Sequence, residues 1–131
     1  PMVILDKERI GDKEQVVMRN IIGDPSGKDV LLVDDEILSG GSMIQAARIL
    51  QDNGAKRIWT ACTHGFFSKN ALQRIEESCI EEVVTTNTIP QQHSFSSSKL
   101  NILSVAEIFA KAIRAIHQGD SVGALFEYVH K

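Results

Sequence analysis

The sequence predicts an α/β fold with a parallel sheet, because apolar strand patterns alternate with amphipathic helix patterns along its 131 residues. Residues 30–33 are Val-Leu-Leu-Val, which is typical of a strand buried on both faces. A helix pattern follows from about Gly41 to Asn53, and a stronger one begins near Val105. The length suits one compact domain with its own core, so we predict a single domain over residues 1–131.

The remaining elements follow in order along the chain, each bounded by turn residues or a change of pattern. Between the first two strands, the polar composition of residues 6–14 predicts a solvated, mobile stretch, and residues 91–98 predict a flexible surface loop. A helix over 68–77 is predicted to begin with Ser68 as its cap. The predicted strands are 2–5, 16–22, 30–34, 58–63, 82–86 and 102–103.

The last long helix has the clearest hydrophobic period of the chain. Its apolar residues recur at intervals of three and four, which predicts a stripe buried against the core. Ser104 and Glu107 have the spacing of a capping box at its start. The stripe consists of Val105, Ile108, Phe109, Ala112, Ile113 and Ile116.

Composition excludes several classes of function. The formal net charge is -3 with no basic run, which argues against nucleic acid as a partner. The sequence contains neither a signal peptide nor a stretch apolar enough for a membrane span, so we expect a cytoplasmic protein without a membrane partner. Cys62 and Cys79 lack metal-site spacing and lie among apolar residues, which predicts reduced core cysteines.

The most informative stretch joins the apolar strand at 30–33 to the first helix. Asp34 and Asp35 follow the strand, and Ser-Gly-Gly-Ser at 39–42 leads into the helix. Amides at the start of a helix attract phosphate, while the carboxylates can face sugar hydroxyls or a divalent metal. An acid pair alone is equally consistent with a solvated loop, and Gly-Gly with an ordinary tight turn. The complete order of strand, acids, turn and helix favours phosphate binding.

This stretch resembles the phosphoribosyl pyrophosphate loop of type I phosphoribosyltransferases and ribose-phosphate pyrophosphokinases. The flanking segments favour the pyrophosphokinases, because eight of them resemble that family in the same order. The resemblance extends from about Val3 to Phe126. The segments are 4–9, 20–24 with 27–28, 54–58, 63–68, 87–90, 103–106, 112–116 and 119–122.

The resemblance implies a Rossmann-like type I phosphoribosyltransferase fold with a β-hairpin, incomplete at its N-terminus and part of a longer two-domain protein. It implies transfer of diphosphate from ATP to ribose 5-phosphate, giving phosphoribosyl pyrophosphate and AMP, with Mg²⁺ as cofactor. It also implies a homo-oligomer. The isolated chain is expected to be inactive, because the first domain would supply nucleotide contacts.

The resemblance also assigns roles to individual residues. Lys7 and Arg9 are the implied catalytic cations, on a mobile loop, although two cations in a polar loop are otherwise more often simply solvated. Asp34 and Asp35 are implied to bind the ribose hydroxyls and to help hold Mg²⁺. The implied 5-phosphate site consists of Ser39, Gly40, Gly41 and Ser42.

Two positions depart from the pyrophosphokinase pattern. Leu38 stands where an acid is usual, and Glu36 stands where an apolar residue is usual. Two alternatives therefore stay open: a non-catalytic, pyrophosphokinase-associated regulatory subunit, or a phosphoribosyltransferase. His64, near the end of a predicted strand, is either a structural histidine or part of the site, and its role is left open.

Overall fold

A computed structural model describes residues 2–9, 16–91 and 97–125, with the backbone alone described at 6–9 and 16–20. Strands and helices alternate from the third strand to the fifth, as the sequence pattern predicts, and the sixth strand then follows the fifth without a helix between them. In chain order the elements are β1 (Ile4–Arg9), β2 (Val16–Ile22), β3 (Asp29–Ile37), α1 (Gly41–Asp52), β4 (Arg57–Gly65), α2 (Ala71–Glu76), β5 (Ile80–Thr86), β6 (Leu100–Leu103) and α3 (Ala106–Gln118).

The four later strands form a parallel sheet in the order β3-β4-β5-β6. The first two strands form a separate antiparallel pair, β1-β2. The predicted α/β class, parallel sheet and hairpin are therefore confirmed. Parallel strands end at one edge of a sheet, so the residues that follow β3, β4 and β5 lie near each other there.

The hairpin corrects one prediction about its first strand. We expected the strand to end near Leu5 and a mobile stretch to follow, but β1 continues to Arg9, which lies opposite Val16. A ladder pairs backbone groups whatever the polarity of the side chains, so polar composition does not prevent strand formation. Lys7 and Arg9 therefore lie in a strand, and residues 10–14 of the predicted stretch are outside the described part of the chain.

The core lies between α1, α2 and one face of the parallel sheet. In α1 the predicted face is buried at Met43, Ala46, Ala47 and Leu50. The most completely buried apolar side chains share this layer, and together they hold both helices against β3, β4 and β5. They are Ile37, Leu50, Ile58, Ile75, Ile80 and Val83.

The opposite face of the sheet is largely exposed, which contradicts the prediction that 30–33 is buried on both faces. Leu31 is 59% exposed and Val33 is 74% exposed. They are in register with Trp59 and Ala61 on β4, so the apolar surface continues onto the neighbouring strand. Both described helices that contact the sheet pack on its other face, which leaves these side chains without cover.

The helix α3 is also uncovered, and the predicted burial of its stripe is wrong. None of its residues is buried, and Ile113 and Ile116 are 65% and 68% exposed. The amphipathic pattern is present, but no element in the described ranges packs on it. The predicted capping box is wrong too, because Glu107 pairs with Lys111 at 2.7 Å, and the Ser104 hydroxyl oxygen accepts from the amide of Ala106 at 3.3 Å and not from that of Glu107.

The short helix α2 starts three residues later than predicted. Phe67 and Lys69 have φ of 45° and 57°, in the left-handed region that a right-handed helix excludes, so the helix cannot include Ser68. Ser68 instead donates its backbone N–H to the carbonyl oxygen of Leu38 at 2.8 Å. The predicted core contacts of the helix are confirmed at Ala71, Leu72 and Ile75.

Three smaller predictions were also tested. Cys62 is buried and Cys79 half-buried, both unpaired, and burial raises the pKa of the Cys62 thiol. A short 3₁₀ turn at 122–125 stands where a final helix was expected. None of the described helices is long and apolar enough to cross a membrane.

Truncating two isoleucines tests the one-sided core. Ile75→Ala should lower the free energy of unfolding by about 2–5 kcal/mol, because this fully buried side chain leaves a cavity. At a concentration where the chain is monomeric, Ile113→Ala should change it by less than about 0.5 kcal/mol, because that side chain is mostly exposed in a single copy. Urea unfolding followed by circular dichroism measures both, and a loss at Ile113 as large as that at Ile75 would show that α3 is packed.

Candidate functional site

The turn between β3 and α1 reverses the chain within residues 38–40. Gly40 makes this reversal in the left-handed conformation, with φ 71° and ψ -1°, and is buried against Ile75. A side chain is strained in that conformation, so glycine suits this position. Gly41 then begins α1, and the amide of Ile44 closes its first turn on the carbonyl of Gly40 at 2.9 Å.

The carbonyl groups of the turn are bonded to residues 66–74, which comprise the segment between β4 and α2 and part of α2. The Ile37 oxygen accepts from the amides of Phe66 and Phe67 at 3.0 and 3.1 Å. Leu38 is held by Ser68, and the Ser39 oxygen accepts from Arg74 Nη1 at 3.1 Å. Three consecutive carbonyls are therefore held by one neighbouring segment.

The amides of the same turn have no such partners. Within the described part of the chain, no acceptor is hydrogen-bonded to the amides of residues 39–42. The first amides of a helix lack intrahelical partners, and their dipoles favour negative charge. A phosphate group supplies several acceptor oxygens at once, so this arrangement is suited to holding one.

The two aspartates lie inside β3 and not after it, because the strand continues to Ile37. Side chains alternate along a strand, so Asp34 and Asp35 point to opposite faces of the sheet. Asp34 is half-buried on the α1 side, whereas Asp35 is exposed. Each turns one oxygen to the next amide: Asp34 Oδ1 accepts from Asp35 at 3.0 Å and Asp35 Oδ1 from Glu36 at 2.9 Å.

A cavity of about 800 Å³ lies beside Asp34. Its lining includes Asp34 and Ser42, so the structure brings together a carboxylate and a helix-start hydroxyl from the predicted site. Residues 2–5, β3 and the inner face of α1 supply the other walls. The volume falls within the range of small-molecule sites. Polar side chains line both ends: Lys28 and Asp29 lie at the start of β3, and Asp34 and Ser42 lie near its end.

The predicted residues do not all face this cavity. Gly41 borders a second cavity of about 600 Å³, which is also lined by Arg48 and Arg74. Asp35 lies across the strand from Asp34, so the aspartate pair does not act as one two-pronged ligand. Leu38, the departure from the expected acid, is 51% exposed beside the turn.

The acidic side chains fit Mg²⁺ only as part of a larger ligand set. No group of three or more His, Cys, Asp or Glu residues suited to a metal occurs in the described ranges. Mg²⁺ is commonly held by one or two carboxylates together with substrate phosphates and water. Asp34 can supply one such oxygen toward the cavity, and substrate oxygens would have to supply others.

His64 lies near the end of β4 and is tied to residues around the end of β5. Its Nδ1 lies 2.8 Å from Thr88 Oγ1, and Thr86 Oγ1 lies 2.9 Å from the same hydroxyl. Both threonine hydroxyls also reach the Thr63 carbonyl oxygen, at 2.7 and 3.0 Å. The contacts give His64 a structural role in joining the two strand ends at the site edge.

The structure leaves the predicted role of Lys7 and Arg9 untested, and it adds contacts of Arg74 and Thr88 that the sequence analysis did not name. The backbone of Lys7 and Arg9 is in β1, and their side chains lie outside the described part of the chain, so their catalytic role stays a prediction. Arg74 and Thr88 contact the site but were missed by the sequence analysis. Neither belongs to a local pattern, because each contact joins residues far apart in the chain.

Comparison with known proteins identifies the family. Residues 7–127 match the family model described as the phosphoribosyl synthetase-associated domain. The chain belongs to this family. The match includes the predicted Lys7, the aspartates, the glycine turn and α3, so it covers the whole candidate site.

Relatives of this family member are ribose-phosphate pyrophosphokinases. The chain is 47% identical over 126 residues to that of Caldanaerobacter subterraneus subsp. tengcongensis, covering 96% of this chain and 40% of that protein. It is 45% identical over 125 residues to that of Wolinella succinogenes, covering 95% and 40%. The chain thus spans about 40% of the length of these relatives.

A solved structure agrees with the fold. The crystal structure of phosphoribosylpyrophosphate synthetase from Mycobacterium smegmatis superimposes with a TM-score of 0.73 at 38% sequence identity. The superposition covers 76% of this chain and 33% of that one. The family assignment, the predicted fold and the resemblance to pyrophosphokinases are therefore confirmed.

Two alanine substitutions test the glycine turn. Gly40→Ala should lower the free energy of unfolding by about 1–2 kcal/mol, because alanine must adopt a positive φ. Gly41→Ala should raise it by about 0.4–1 kcal/mol, because its Cβ would meet only ordinary contacts at 3.7 Å in a helical position. Thermal and urea unfolding of both variants check this contrast, and equal effects would contradict the assigned turn conformation.

Proposed function

We propose that this chain binds ribose 5-phosphate between the end of β3 and the start of α1. One observation carries the proposal: the run of unpartnered amides at 39–42 ends at Ser42, which lines the same cavity as Asp34. The amides suit the phosphate and the carboxylate suits sugar hydroxyls, so both ends of one molecule find partners. The names and high identity of the relatives support the same substrate.

In the proposed complex, residues of the turn and of β3 bind different parts of the sugar phosphate. Ser39, Gly40, Gly41 and Ser42 hold the 5-phosphate through backbone amides and hydroxyl groups. Asp34 accepts hydrogen bonds from the ribose hydroxyls inside the cavity. Asp35, on the other face of β3, contributes to Mg²⁺ only if the substrate extends past the strand end.

We further propose that a longer protein containing this chain is a ribose-phosphate pyrophosphokinase. The anomeric hydroxyl oxygen attacks the β-phosphorus of ATP, and the bond from that phosphorus to the AMP oxygen breaks. The hydroxyl proton passes to solvent, and the diphosphate is transferred to the sugar oxygen. Bound Mg²⁺ would neutralise phosphate charge, and Lys7 and Arg9 would stabilise the transferring group.

The chain alone is proposed to lack this activity, because it spans about 40% of its pyrophosphokinase relatives. Positioning of both substrates supplies most of the catalysis in phosphoryl transfer, so a missing nucleotide contact is costly. We place the protein in the cytoplasm, since its two unpaired cysteines suit a reducing compartment.

A second candidate function is a non-catalytic, associated subunit. The observation that favours it is Leu38, which places an exposed apolar side chain beside the turn where the pyrophosphokinase pattern has an acid. Both candidates keep the sugar-phosphate site. Release of AMP by the longer protein would distinguish the enzyme from the subunit, whereas the named relatives give no support to a phosphoribosyltransferase.

Calorimetric titration tests the proposed site. The purified chain should bind ribose 5-phosphate more tightly than ribose or inorganic phosphate, because only the first engages both ends of the site. Asp34→Asn should weaken binding about tenfold, because one charge-assisted hydrogen bond of ~1.4 kcal/mol becomes neutral.

The controls make a negative result informative. Asp52→Asn is the matched control, because Asp52 ends α1, is exposed and lines neither cavity, so it should leave binding unchanged. Titrations with and without Mg²⁺ test the proposed metal. A folded chain that binds ribose 5-phosphate no better than inorganic phosphate would contradict the proposed site.

We also propose that the chain forms homo-oligomers through its exposed apolar surfaces. The uncovered sheet face and the stripe of α3 each expose several large apolar side chains. Contiguous patches of this kind are uncommon on monomers. Sedimentation velocity should show a species heavier than 14.5 kDa that dissociates in Ile113→Glu, and a monomer at high micromolar concentration would contradict the proposal.

A further inference from the structure

Among the described residues, Arg74 is the one side chain of another helix that donates a hydrogen bond to the glycine turn. It lies in the last turn of α2, and its Nη1 donates to the Ser39 oxygen at 3.1 Å. Its Nη2 lies 3.7 Å from the position that a Cβ on Gly41 would occupy. The guanidinium therefore spans the turn from Ser39 to Gly41.

This contact completes the series of bonded carbonyls. Backbone amides of residues 66–68 hold the carbonyls of Ile37 and Leu38, but no described backbone amide reaches Ser39. The peptide that joins Ser39 to Gly40 carries both the bonded oxygen and the Gly40 amide. Because a peptide unit is planar, fixing its oxygen also fixes the direction of its N–H.

The guanidinium charge of Arg74 is not neutralised by an ion pair with another described residue, so it can act on the turn. None of the ion pairs between described residues includes Arg74, and the nearby Glu77 accepts a hydrogen bond from Gln73 at 3.1 Å. Arg48 and Glu77 line the same cavity as Arg74. No side-chain hydrogen bond of Arg48 to the turn occurs within the described ranges, so Arg48 offers charge at the same cavity without the contact.

We propose that Arg74 is a positioning residue for the sugar-phosphate loop, an inference that rests on the proposed function. It holds the Ser39–Gly40 peptide so that the amides of residues 39–42 face the phosphate. Without the contact, this peptide can rotate in the free protein. Ligand binding must then order the amides, and the entropy lost in ordering them lowers the binding affinity. A charged donor is needed for a strong bond at an exposed carbonyl.

Three variants test this role by calorimetry with inorganic phosphate and ribose 5-phosphate. Arg74→Met, which keeps the unbranched stem but removes the donors, should weaken the affinity for both ligands by about tenfold. Arg74→Lys, which keeps one charged donor, should recover most of that loss. Arg48→Met removes a charge at the same cavity and should change either affinity less than about twofold.

A ligand-free measurement keeps this inference separate from the proposed function. In NMR relaxation, the amide order parameters of Ser39 and Gly40 should fall from the rigid range, about 0.85, to below about 0.6 in Arg74→Met. Arg48→Met should leave them unchanged, and the unfolding midpoints of both variants should stay close to that of the unsubstituted chain. These values are measurable even if no ligand binds.

The outcomes distinguish the proposed function of the chain from the proposed role of Arg74. If the unsubstituted chain binds neither ligand, the proposed function fails, while the order parameters still decide the role of Arg74. If binding is weakened equally by Arg74→Met and Arg48→Met, Arg74 acts only through charge and the positioning role is overturned. Unchanged order parameters in Arg74→Met would overturn it as well.

Discussion

The bonded carbonyls at the end of β3 are the interaction on which the candidate site depends. A strand that enters a helix through three residues must redirect its backbone groups within a few ångströms. The segment after β4 takes the carbonyls of Ile37, Leu38 and Ser39, so the chain reverses without leaving them unpaired. The amides that follow remain for a ligand, and the parallel register of β3 and β4 brings the segment to that place.

The one-sided core is the second physical feature of the fold. The helices α1 and α2 bury one face of the sheet, while the other face and α3 stay exposed. An amphipathic pattern specifies which side of an element needs cover but not which chain supplies it. Burial by further parts of a longer protein or by a second copy would both satisfy these surfaces, and the relatives that the chain matches are more than twice its length.

Local patterns predicted the fold class, the order of the elements and the inner face of α1. The glycine turn was predictable as well, because Gly40 occupies a conformation that other residues reach only with strain. Burial of α3 was predicted wrongly, because hydrophobic periodicity does not show whether another element packs on the apolar face. Arg74 was missed because its contact with Ser39 spans 35 residues of sequence, and only the parallel sheet brings α2 beside the turn.

Strand geometry also limits how the proposed site can bind a metal. Consecutive residues of a strand face opposite ways, so the sequence pair Asp34-Asp35 does not form a two-carboxylate clamp. Of the two aspartates, only Asp34 lines the cavity that Ser42 also lines, whereas Asp35 lies on the other face of the sheet. A cation at this site therefore needs oxygens from the bound sugar phosphate or nucleotide. Under the proposed function, metal affinity should follow substrate occupancy, because the residues that the structure describes present too few ligands on one side of β3.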